Sequence, residues 1–120
     1  MSIVNDIYQQ LGGKKFTLFT GCKDFYNIQD YILGMTIPRN SSKANRLEVK
    51  YNFETDTYTM RFFKHINARL NTKTFVWVDA KDTDIKIIKD VHCDMLRKIF
   101  EDVTGMIIPS KLIINGRSFG

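Results

Sequence analysis

Leu47, Val49, Tyr51 and Phe53 occupy every second position of one segment, and Tyr58, Met60 and Phe62 do the same a few residues later. Alternation with a period of two marks a strand that buries one face. Two such strands joined by the short polar run 54–57 make an antiparallel hairpin. Both apolar rows must share a face, and that condition restricts the pairing. The expected register sets Phe53 opposite Tyr58, Tyr51 opposite Met60 and Val49 opposite Phe62, with the turn centred on Thr55 and Asp56. A slip of one residue would turn a whole apolar row outward. A chain built around this hairpin has to supply something that covers its inner face.

Two amphipathic helices meet that need. Ile3, Val4, Ile7, Tyr8 and Leu11 fall on one helical stripe, with Asn5, Asp6, Gln9 and Gln10 opposite, and the Gly12-Gly13 pair ends it. Near the other end, Val91, Met95, Ile99 and Val103 repeat every four residues, and Leu96 and Phe100 widen the stripe. Asp90 is the expected cap of that helix and Gly105 its terminator. Further strands are expected at 15–20, with Phe16 and Leu18 on one face and 21–24 as its turn. Others are expected at 30–37, where Tyr31, Leu33, Met35 and Ile37 alternate before Pro38, at 74–78, and at 85–88 after a turn over 79–84. The fold class is therefore α+β: an antiparallel sheet of about five strands flanked by an N-terminal and a C-terminal amphipathic helix. Residues 1–105 read as a single domain. Residues 106–120 read as a tail that adds a strand through Leu112, Ile113 and Ile114.

At 120 residues there is room for one core and little more. The longest apolar runs are three or four residues, so no membrane span is expected, and the first twenty residues lack the pattern of a secretory signal. Two cysteines suit a reducing cytosol rather than a disulfide scaffold.

The charge is unevenly spread. Residues 39–73 hold eight basic side chains against three acidic ones, while the rest of the chain carries ten of each sign. The whole net charge of +5 thus belongs to two basic loops, 39–46 and 65–73, and to the outer face of the hairpin between them. In the expected register Lys50 faces Arg61, Glu48 faces Phe63 and Arg46 lies near His65. Like charges directly opposite each other in a sheet are destabilising. Two readings of that pair stay open. Either the heads splay into water or bridge through Glu48, as surface charges commonly do, or they form a stripe for a polyanion. On the second reading Arg39, Lys43, Arg46, Lys50, Arg61, Lys64, Arg69 and Lys73 contact phosphates. Phe63 is then the residue on which bases stack.

Most aromatic residues sit at inward positions and simply fill the core. Phe63, Tyr26 and Trp77 are the candidates for the surface, although a single large indole in a small domain favours the core for Trp77. No enzyme class finds its residues here. His65 and His92 have no zinc-ligand spacing. His92 and Cys93 point about 100° apart on a helix, and Cys93 is expected to be a buried, inert thiol rather than an activated one. Asp79, Asp82 and Asp84 lack the glycine and distal glutamate of a calcium loop. Gly12-Gly13 lacks the Lys-Ser/Thr of a phosphate-binding loop. No metal site and no cofactor are expected.

Several runs are familiar: Gln10-Leu11-Gly12-Gly13 with Phe16; Thr20-Gly21 with Lys23 and Phe25; Met35-Thr36-Ile37-Pro38-Arg39-Asn40; Lys43-Ala44-Asn45-Arg46-Leu47; the run from Asp56 to Lys64; Arg69-Leu70-Asn71; Asp94-Met95-Leu96; and Val103-Thr104-Gly105-Met106. Over residues 8 to 106 the chain resembles a family of small uncharacterised proteins from bacteriophages and mobile elements of gut bacteria. Such proteins tend to stop soon after the Thr-Gly-Met stretch, whereas this chain continues to Gly120. The resemblance implies a viral or mobile-element origin and action in the cytoplasm of a bacterial host. It assigns no activity to any residue. The expectation is a non-enzymatic accessory protein that binds nucleic acid, single-stranded DNA or RNA, through its basic hairpin face and flanking loops. The alternative is an interaction protein, such as an inhibitor of a host defence system, or a protein that sequesters a small anionic nucleotide. The sequence leaves the oligomeric state open.

Overall fold

The computed structural model describes residues 3–108, together with the backbone of two short strands at 112–114 and 117–119. Five strands form one antiparallel sheet: β1 (Lys23–Ile28), β2 (Ile32–Thr36), β3 (Arg46–Asn52), β4 (Thr57–Ile66) and β7 (Lys81–Val91), in the spatial order β1-β2-β3-β4-β7. Between β4 and β7 the chain makes a separate hairpin of β5 (Arg69–Asn71) and β6 (Val76–Val78). Leu112–Ile114 (β8) pairs with Arg117–Phe119 (β9) as a two-stranded unit outside the main sheet. The helices are α1 (Ile3–Leu11), α2 (Lys14–Thr20) and α3 (Leu96–Thr104). The α+β class and the five-stranded antiparallel sheet are as expected.

The helices cover a single face. Ile7, Leu11, Phe16, Leu96 and Phe100 form one core with Leu33, Met35, Leu47, Val49, Met60 and Phe62 from β2, β3 and β4. The Phe16 and Phe100 rings meet edge to face with centroids 4.8 Å apart, and Phe62 lies 6.4 Å from Phe100. These contacts place α2 and α3 over the middle of the sheet. The opposite, outer face carries no helix, so its side chains must satisfy one another.

Four local expectations are corrected. Residues 14–20 are helical rather than extended: Phe16 and Thr20 are buried one turn apart while Leu18 is 77% exposed, so the apolar period is four, not two. Gly21, at a φ of 73°, closes α2 by donating its N–H to the Thr17 carbonyl. Residues 23–28, in part read as a turn, form the edge strand β1. A turn with left-handed Gln29 and Asp30 (φ 54° and 68°) joins it to β2, the geometry that matches strand twist in tight hairpins. The C-terminal helix begins at Leu96 after a 3-10 turn at Cys93–Met95. Asp90 is therefore no helix cap but a strand residue with a φ of 57°. Gly105 ends α3 in the left-handed conformation, as expected.

The fourth correction concerns 79–88. Instead of a turn and a short strand, 81–91 form one eleven-residue strand, which pairs with β4 through two register shifts. The polar alternation over 81–84 reads as a loop because neither face of this part of the strand is buried.

Candidate nucleic-acid interface

The hairpin register differs by two residues from expectation. Val49 faces Met60, Leu47 faces Phe62 and Tyr51 faces Tyr58, so the apolar rows share a face as required. The turn takes four residues, closed by the Asp56 N–H on the Asn52 carbonyl at 3.0 Å, and Phe53 moves out of the sheet into it. On the outer face this shift sets Glu48, not Lys50, opposite Arg61, and Lys50 faces Thr59.

Arg61 is thereby committed. Its Nη1 lies 3.4 Å from Glu48 Oε1 and its Nε 2.6 Å from Asp84 Oδ1. Partial burial opposes the charge, but Asp84, Glu48 and Asp82 outweigh it and hold the guanidinium pKa above its ordinary value. Glu48 also accepts a 2.8 Å hydrogen bond from the Tyr26 hydroxyl. Arg46 stands over the Tyr26 ring, 5.9 Å from its centroid. Phe63 is only 2% exposed: the Arg61 guanidinium covers its ring at 4.2 Å, and its strand partners are Arg46 and Asp84. It is no surface for a base. Tyr26 is half-buried for the same reason, and around Arg61 the expected stripe is a neutralised network.

Of the basic residues expected to contact phosphates, those left after Arg46 and Arg61 fall in three places. Arg39, Lys43 and Lys64 line one groove of about 520 Å³ with no acidic residue in its wall. Lys50 lies apart, in a hollow beside Tyr31, Lys89 and Asp90. Arg69 and Lys73 line a shallow depression on the β5–β6 hairpin.

Two asparagines build the groove. Asn40 donates from its side chain to the carbonyls of Pro38 (2.8 Å) and Ala44 (2.7 Å), and its Oδ1 accepts the N–H and hydroxyl of Ser42. Asn45 behaves like an added strand residue: its side chain donates to the His65 carbonyl at 2.8 Å and accepts the His65 N–H at 2.7 Å, while its own N–H reaches the Phe63 carbonyl. That clamp brings Lys64 beside Arg39 and Lys43. The Ser41 N–H on the Thr104 carbonyl ties the same loop to the end of α3. Sequence reasoning passes over Asn40 and Asn45. The signal that marks them is the turn-forming habit of asparagine within 39–46.

The β4–β7 ribbon and its terminal hairpin project as an arm. Every residue of 67–87 is exposed. Trp77, expected in the core, is 68% exposed, and Phe75 is 78% exposed. Trp77 pairs across the hairpin with Leu70, so the two share a face. The tip is closed by Asn71, whose carbonyl accepts the Phe75 N–H at 2.7 Å and whose Oδ1 accepts the Lys73 N–H at 3.0 Å. Along the ribbon, Asp82 is hydrogen-bonded to His65 (2.5 Å) and Asp84 to Arg61. Cys93 is exposed rather than buried; the buried thiol is Cys22, whose pKa burial pushes up against a hydrogen bond from Thr20.

Among the described residues no cluster of three or more His, Cys, Asp or Glu side chains could hold a metal ion, and no helix is long and apolar enough to cross a membrane. What the fold and site define is a small antiparallel α+β protein with an uncovered arm and a cationic groove at the arm's base. No family model, curated protein or solved structure matches the chain.

Proposed function

We propose that this chain is a non-enzymatic binding protein that holds nucleic acid by its phosphates, through Arg39, Lys43 and Lys64 in the groove and through Arg69 and Lys73 on the arm. The observation that carries the reading is the groove: three cations from two separate elements converge with no carboxylate among its lining residues. A fold selected for stability alone gains nothing by converging like charges. A phosphate backbone would release counterions there and favour binding. Arg46 and Arg61 leave the contact set, because Tyr26, Glu48 and Asp84 engage them. Lys50 lies outside the groove. The sequence resemblance over residues 8 to 106 supports a bacteriophage or mobile-element accessory protein acting in the cytoplasm of a bacterial host.

The test is fluorescence anisotropy with labelled single-stranded DNA, duplex DNA and RNA over a range of salt. We expect binding that weakens steeply with salt, and Lys43→Glu with Lys64→Glu should abolish it at moderate ionic strength. If affinity is unchanged in the double variant, the groove is not the site. If a free nucleotide competes as well as a polymer of many phosphates, the groove serves a small anion instead.

One observation favours a second reading, an interaction protein such as an inhibitor of a host defence system. The arm exposes Leu70, Val76 and Val78 besides its aromatics, and exposed apolar patches mark interaction surfaces. On that reading a single host protein co-purifies at a fixed ratio, and removal of the arm releases it.

A further inference from the structure

The arm of residues 67–87 has no buried position, yet it presents the chain's one tryptophan. A hairpin with three-residue strands and no core of its own is marginal in water, so its exposed rings ask for an occupant. We infer that the arm is a stacking platform for unpaired bases, with Trp77 and Phe75 as the stacking residues. The inference rests on the nucleic-acid reading above and adds which form of nucleic acid the site takes and where its bases go.

Three features select bases over other partners. The first is charge. Asp82 and Asp84, the acidic groups of β7 within the arm, are held by His65 and Arg61. In 67–81 that leaves Arg69, Lys73 and Lys81 against Asp79 alone. A cationic margin around exposed rings complements a polyanion whose bases are apolar on their faces. The second is continuity. Lys64 lines the groove and also pairs with Thr83 on β7, so the groove opens at the base of the ribbon that carries the rings. A strand whose phosphates sit in the groove has the ribbon as its path outward. The third is strain. Phe75 holds a φ of 57°, in the left-handed region that glycine and asparagine occupy readily and a bulky aromatic residue seldom does. A phenylalanine kept there, 78% exposed and buried against nothing, points to a role for the ring in the open. Bases within a duplex are already stacked on one another, so the platform serves single strands.

Trp77 is its own reporter, because no other indole contributes emission. The probes are a thymidine oligonucleotide, the same strand annealed to its complement, and an abasic strand of equal length. We expect the thymidine strand to quench Trp77 emission while the duplex and the abasic strand do not. Trp77→Leu, which keeps an apolar side chain but no ring, should weaken single-strand affinity about tenfold or more without changing its salt slope. Trp77→Phe should recover part of that loss. Position 77 is exposed, so folding is not at stake. Salt-sensitive binding with unaltered Trp77 emission, or equal quenching by the abasic strand, overturns the stacking platform and leaves the groove standing. No binding of any probe at low salt overturns both. Emission that is blue-shifted in the protein alone, and moves back on dilution, overturns the platform in favour of a second copy covering the arm.

Discussion

The ring of Tyr26 lies where a side chain on Gly34 would have to go: an added Cβ there would sit 2.0 Å from the ring's Cζ. The two residues are cross-strand partners on β1 and β2, and the glycine lets the ring lie flat across the sheet. From there the hydroxyl reaches Glu48 on β3. Gly34 is required for space, since no left-handed backbone is involved at this position. We expect Gly34→Ala to displace the ring, break the bond to Glu48 and cost about 1–2 kcal/mol by urea unfolding. Tyr26→Phe, which removes only the oxygen, should cost about 1 kcal/mol. In the Tyr26→Phe background, Gly34→Ala should cost less than it does alone, because the two changes remove the same bond.

The same tyrosine predicts an alkaline limit. Burial, then the hydrogen bond and negative charge of Glu48, push its pKa up to about 12, against a partial opposing effect of Arg46. The unfolded chain gives up this proton near pH 10 and the folded one only near pH 12. Below pH 10 both states are protonated and the contribution to stability is complete. Between pH 10 and pH 12 the unfolded state binds fewer protons, so stability falls as pH rises. A melting-temperature series by circular dichroism should decline over that window in the native protein and decline less in Tyr26→Phe.

Arg61 and Lys64 are three residues apart on β4 and should behave oppositely. Arg61 is held by Glu48 and Asp84, with a third of its side chain still in water, so Arg61→Gln should lower stability by about 1 kcal/mol after screening. It should leave single-strand affinity nearly unchanged. Lys64→Gln should leave the melting temperature within a degree or two. It should also make the slope of log affinity against log salt shallower by about 0.7, the loss of one phosphate contact. Anisotropy and thermal melts on the two variants check the pair. A binding loss in Arg61→Gln equal to that of Lys64→Gln would return the outer face to the site.

The clamp at Asn45 predicts a binding defect without a charge change. Asn45→Ala removes two hydrogen bonds to the His65 backbone. It should cost about 1–3 kcal/mol, since it leaves a partly buried N–H and carbonyl without their partner. The 39–45 loop then loses its fixed distance from Lys64. The expected result is weaker nucleic-acid binding with the salt slope retained, because every cation is still present.

The sequence-based reading succeeds where burial imposes a period and fails where it does not. Leu47, Val49, Met60 and Phe62 are buried and face one another in the right parity, because one face of the sheet meets the helices. The two-residue difference in register arises at the turn, which nothing apolar constrains, and it sets Arg61 opposite Glu48 rather than Lys50. The segment 15–20 reads as a strand because Phe16 and Leu18 alternate, while the buried pair is Phe16 and Thr20. The basic residues were legible as a charge excess but not as a site. Whether a cation is free depends on carboxylates distant in sequence, such as Asp84 for Arg61 and Asp82 for His65. Phe63 and Trp77 exchanged roles for the same kind of reason. Arg61, two residues back on the same strand, covers the ring of Phe63, and an arm that never folds back onto the core carries Trp77 away from it.

Phe75 tests whether the arm trades stability for exposure of a ring. Its left-handed φ carries a cost of about 1 kcal/mol that asparagine would largely avoid. Phe75→Asn should therefore hold the hairpin closed more of the time. The change is local, so the global melting temperature should hardly move. Amide exchange at residue 75, whose N–H is bonded to the Asn71 carbonyl at 2.7 Å, should slow several-fold. If the ring is present for its surface, the same variant should bind single strands more weakly although its tip is better ordered. Slower exchange with undiminished affinity would mean that the strain at the tip has no part in binding, and that Trp77 carries the stacking alone.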